Sequence, residues 1–156
     1  MNHKNLLKND EAVSITLGFI LMLSITVLVF SAILLSFYTL SQQSEKTAMR
    51  ESFETMASGL AVRITMVDTL VNLTSSYGGE VNTLEYDFSI PANIANEDYS
   101  INITNKQIII ESDSGAKAWI PINTSISIAE REIHSSPQDY MFVYSRTDNT
   151  IGIEEQ

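Results

Sequence analysis

No charged residue occurs from Ala12 to Leu40, a run of 29 positions, and nothing else in the chain restricts its folding as much. Leu, Ile, Phe and Val supply seventeen of the residues from Val13 to Leu40. Each contributes about −0.3 to −0.6 kcal/mol near the centre of a spanning helix, so together they favour insertion by roughly 5 to 10 kcal/mol. As a helix, 28 residues reach about 42 Å, more than a hydrocarbon core of about 30 Å. A helix apolar on every side has no face to offer to water. The run is therefore expected to span a membrane. It is also too long for a secretory h-region of about 7–15 residues, and "SFYTLSQQSEK" after it has no A-x-A cleavage pattern. It is expected to stay in the working protein.

Charge is distributed unevenly around this run. The chain of 156 residues has a formal charge of −10. Residues 1–12 balance Lys4 and Lys8 against Asp10 and Glu11, whereas residues 75–156 set four Lys and Arg against thirteen Asp and Glu. A head this acidic repels phosphate backbones, so no nucleic-acid partner is expected. The absence of cysteine excludes disulfides and thiolate metal sites.

The junction where charge gives way to hydrocarbon is Glu11-Ala12-Val13-Ser14. A small residue between an acid and an aliphatic side chain, at the membrane face, is a pattern a membrane-associated protease can read. Here "DEAVSITLGFILMLSITVLVF" resembles the start of archaeal type IV pilin-like proteins, whose short charged class III leaders are removed by a prepilin peptidase. The resemblance covers about residues 10–40 and implies cleavage between Ala12 and Val13, with other pilin-like subunits as partners of the apolar helix. Two departures stand beside it. Leu17 occupies the place of the Glu that bacterial pilins carry five residues into the mature chain, and Ile15 follows Ser14 where archaeal pilins often have Ser-Pro. A plain uncleaved signal-anchor is the alternative.

Beyond Leu40 the helical signal changes character. Met49, Phe53, Met56, Leu60, Ile64, Val67 and Leu70 or Val71 recur at steps of three and four, making one apolar stripe that is expected to pack on the rest of the head. "NLTSSYGG" should end the helix, with Gly78-Gly79 as its breaker. Within the apolar run, Ser14 with Gly18 and Ala32 with Ser36 fit the small-xxx-small spacing that lets helices approach closely. Either lipid or a bundle of like helices would then suit the run.

From Thr83 the period becomes two. Thr83–Ile90, Tyr99–Thr104, Gln107–Ser112 and Lys117–Ile128 read as strands, with Asn105-Lys106 as a two-residue turn and Pro121 marking an edge or an interruption. "YMFVYS" and "TIGIEE" form a last hairpin, while "EREIHSSPQD" reads as a loop or short helix. The fold class is α+β: a leader over 1–12, an apolar helix over 13–40, its amphipathic continuation over 41–74, and over 75–156 a head of five or six antiparallel strands with one face on the helix stripe. Asn72, Asn102 and Asn123 each begin an N-glycosylation triplet, to be used if the head lies outside the cell.

No chemistry-bearing constellation emerges. His3 and His134 are the histidines, and neither a metal spacing, a nucleophile triad nor a phosphate loop is present. The acid pairs Glu97-Asp98 and Glu111/Asp113 read as solvated turn charges, and Trp119 with the tyrosines as core or sheet-face packing. No catalytic residue, metal or cofactor is expected. The expected role is structural: a minor pilin-like subunit in the cell membrane or a surface filament, single-pass with its head extracytoplasmic. The alternative is an anchored protein whose β head binds an extracellular partner.

Overall fold

The structure, a computed structural model, describes the backbone from Lys4 to Gln156 and side chains from Val13 onward. Helix α1, Lys4–Ser76, has 73 residues. Two compact units divide the chain at Ser44/Glu45, so the second unit takes in the amphipathic part of α1 together with every strand.

The described part of the first unit, from Lys4, is helix alone. Many of its residues are β-branched, and such residues are indifferent helix formers in water. In an apolar medium the intrahelical hydrogen bond is the only partner each peptide group has, and that requirement overrides propensity.

Helix α1 ends at a Schellman motif. Gly79 N–H donates to Thr74 O at 2.9 Å and Gly78 N–H to Ser75 O at 3.1 Å. Gly78 supplies the left-handed residue, φ +80°, and a side chain on Gly79 would meet Thr74 Cγ2 at 2.7 Å. Both glycines expected to break the helix are therefore needed, for different reasons.

Eight strands follow: β1 (Thr83–Ser89), β2 (Tyr99–Ile103), β3 (Gln107–Ser112), β4 (Lys117–Pro121), β5 (Ser127–Ile128), β6 (Arg131–His134), β7 (Asp139–Ser145) and β8 (Thr150–Glu155). They form two four-stranded sheets, ordered β1-β7-β8-β5 and β4-β3-β2-β6. Pairing is antiparallel except between β5 and β8. This corrects the expected single set of five or six antiparallel strands. The long strand Lys117–Ile128 is interrupted at Pro121, which lacks the N–H to continue a ladder, and its two ends join different sheets. The loop or short helix expected over "EREIHSSPQD" contains strand β6, paired to β2 through Ile101↔Ile133. One inward apolar residue in four is too little to register as a period.

The buried faces of both sheets and the helix stripe make one core. From α1 come Met49, Phe53, Ala57, Leu60, Ile64, Val67 and Val71. Met56 is only partly buried and Leu70 is exposed, so Ala57 and Val71 hold the inward phase. Phe53 lies 5.6 Å from Tyr99, and Phe88 stacks on Phe142 at 4.3 Å. Burying each large side chain of this kind is worth about 1.5–3 kcal/mol. Arg131 stitches β6 to β8 by donating to Ile153 O and pairing with Glu155 at 2.6 Å.

Candidate functional site

The feature with the clearest need of a partner is the apolar segment of α1. Across Val13–Leu40 every described residue is exposed, and the large apolar side chains are between 51% and 74% accessible. This helix is long and apolar enough to cross a membrane. Four of the hydroxyl side chains within it are turned inward on the backbone. Ser24 and Thr26 donate to Ile20 O and Met22 O, both at 2.8 Å, while Ser36 and Thr39 donate to Ala32 O at 2.9 Å and Leu35 O at 3.0 Å. Such back-bonding removes the desolvation cost of a hydroxyl in hydrocarbon. The segment is compatible with a membrane anchor.

Of the junction residues, the side chains of Glu11 and Ala12 lie outside the described residues. Val13 and Ser14 are exposed. Beside Gly18 a Cβ would meet nothing of this chain within 4 Å. Ser14, Gly18, Ala32 and Ser36 therefore lie on open surface, and among the described residues no second element packs there to show which face is used.

A buried polar group of the head is Asp68, 9% exposed, on the inward side of α1. Its Oδ1 accepts from Ser125 N at 3.1 Å, Ser125 Oγ at 2.9 Å and Ile126 N at 2.9 Å. Asn72, one turn on, donates from Nδ2 to Asp68 O at 2.8 Å and to Ser125 Oγ at 2.6 Å. Asp68 thus fixes the β4–β5 connection to the helix, a joint and not a reactive site. Its position one residue after Val67 and four after Ile64 was the available signal: a carboxylate on an apolar stripe needs donors facing it.

The three glycosylation triplets fall in different settings. Asn72 is helical with its amide engaged, Asn102 points outward from β2, and Asn123 is exposed in the β4–β5 connection. Glu111 pairs with Lys117 at 2.7 Å, both about half exposed. A shallow depression of about 290 Å³ brings Asp98, Asp113 and His134 to one rim. Among the described residues no three His, Cys, Asp or Glu are grouped so as to hold a metal ion. Buried Tyr99 has its hydroxyl pushed up to about 12, by burial first and then by Tyr140, and donates to Pro91 O. Trp119 is 60% exposed, on a sheet face rather than in the core.

No curated protein and no solved structure matches the chain. One family model does, over residues 8–154, which takes in the apolar helix and reaches the last strand. By that match the chain belongs to the family of unknown function DUF7266.

Proposed function

We propose that the chain is a minor, pilin-like structural subunit of an archaeal cell-surface filament or related envelope machine. A prepilin peptidase removes residues 1–12, and the new N-terminus, Val13, opens a helix that moves from lipid into a bundle of neighbouring subunits while the acidic head faces solvent outside the cell. The observation that carries this reading is the exposure of every residue of Val13–Leu40, for which the described chain offers no cover. Hydrocarbon and other apolar helices are nearly equivalent surroundings, so exchange between them costs little solvation energy. No catalytic role is assigned.

The test is the N-terminal mass of the protein from its native membranes, together with sheared surface filaments. A chain beginning at Val13 that co-purifies with filaments supports the proposal. A soluble chain from which the apolar segment has been cut overturns it. The second reading, an uncleaved single-pass anchor with a partner-binding head, is favoured by the helical backbone through Glu11-Ala12-Val13, since proteases act on extended segments. An intact Met1 and no filament would select it.

A further inference from the structure

The sheet β4-β3-β2-β6 has an outer face that the core does not use. Its register places Trp119, Ile109, Asn102 and Glu132 in one row, one residue from each strand. Trp119 is 60% exposed, Ile109 is half-buried and Asn102 is exposed. Neighbouring strands are about 4.8 Å apart, so Asn102 stands beside Ile109 and about 10 Å from Trp119. An exposed tryptophan next to an isoleucine is an apolar surface without a cover, and Asn102 is the first residue of the triplet Asn102-Ile103-Thr104.

We propose that Asn102 carries an N-linked saccharide whose first sugars lie across Ile109 onto the Trp119 ring. The proposal rests on the extracytoplasmic head of the function proposed above. A sugar ring has an apolar C–H face and polar edges, so it can cover the indole face while its hydroxyls remain in water. Glu132 on the other flank of Asn102 offers no such surface, which gives the chain its direction along the row.

The other two triplets lack this arrangement. A sugar on Asn72 would replace one of the amide hydrogens that reach Asp68 O and Ser125 Oγ, and would place bulk at the joint between helix and loop. Asn123 belongs to no strand row, and Ser125 of its triplet is held by Asp68.

Attachment joins Asn102 Nδ2 to the anomeric carbon of a saccharide delivered by a lipid-phosphate-linked donor and a membrane transferase. The N–C bond forms as the C–O bond to phosphate breaks. The amide gives one proton to a base on the transferase, and the lipid phosphate leaves with the bonding pair. In the folded hairpin Thr104 Oγ1 donates to Gln107 O at 3.0 Å and accepts from Gln107 N at 3.2 Å. The triplet is therefore open to a transferase before β2 and β3 pair, during export.

Trp119 is the sole tryptophan, so its emission reports this surface directly. The experiment uses full-length protein from native membranes: peptide mass spectrometry for site occupancy, protease accessibility of the head on intact cells, and emission before and after enzymatic deglycosylation of the folded protein. Occupancy at Asn102 and not at Asn72, with a red shift on sugar removal, is the expected result. W119A should keep the saccharide yet lose it to a glycosidase several-fold faster. An accessible head with bare Asn102 overturns the saccharide proposal alone. Occupied Asn102 with unchanged emission overturns the seat on Trp119, and a head sheltered inside the cell overturns both this and the topology beneath it.

Discussion

Residues Val13–Leu40 and Glu45–Val71 lie on one helix, α1, and use many of the same apolar side chains, but they meet their surroundings in opposite ways. In the first, Phe30 and Phe37 are 60% and 70% exposed; in the second, Phe53 is fully buried. Backbone conformation is the same, so what differs is the angular distribution of apolar residues. A stripe with Glu45, Glu51, Glu54 and Arg63 around it selects one interior contact and one wet face. An unbroken apolar circumference selects a medium.

This contrast can be broken by substitution, most strongly in the head. Phe53→Ala should destabilise the head by about 3–5 kcal/mol, read from chemical unfolding of the full chain in detergent. Phe30→Ala should leave that unfolding transition where it was; an equal loss from both would erase the distinction. The reverse test puts charge into the run. Leu28→Arg should cost about 2.5–3.5 kcal/mol of membrane insertion, seen as loss from the membrane fraction, with the unfolding midpoint of the head unaltered.

A third substitution asks how firmly the wet-and-dry half is held. Asp68→Ala strands three donors on Ser125 and Ile126 and should cost about 2–3 kcal/mol. Protection of the Ile126 amide against hydrogen exchange should fall before that of β7. If the amide stays protected, the joint is redundant.

At ordinary pH the Tyr99 contribution is constant, but it has a direction. Its folded value is raised from 10 to about 12, so the stabilisation is complete below pH 10 and lost as pH rises from 10 through 12. Melting temperature should therefore drop over that window, and Tyr99→Phe should flatten the drop. The smallest effect concerns the connection between β1 and β2. Ala95 and Asn96 have φ of 53° and 63°, and Ile94 and Glu97 exchange both backbone hydrogen bonds at 3.1 Å, as in a type I′ turn. Asn tolerates that conformation better than Ala, so Ala95→Asn should stabilise by about 0.5–1 kcal/mol, a small rise in the head's midpoint alone.

Legibility in the sequence followed the length of each pattern. The apolar run and the stripe from Met49 to Val71 each extend over many residues, so their periods are unmistakable. Leu70 and Val71 compete for the last place on the stripe, and Ala57 in its middle is too small a side chain to mark a face. Strand β6 has Ile133 as its one inward aliphatic residue, and β5 is two residues long; neither is long enough to declare a period. The division into two sheets depends on pairings such as Ile128↔Ile151, which no local pattern encodes. Asp68 was readable as an anomaly, but its partners at Ser125 and Ile126 lie 57 and 58 positions away. Glycan acceptors are legible as triplets, whereas the row joining Asn102 to Trp119 exists only once three strands have taken their register.

The seven α1 side chains in the core have a practical corollary. A ribosome delivers all of them before Thr83, yet they wait for strands still unsynthesised, so the nascent amphipathic segment needs shelter from aggregation until those strands emerge. The same dependence decides where a recombinant fragment must start: at Glu45, which keeps the stripe, and not at the first strand, whose sheets would then present a bare oily floor to the buffer.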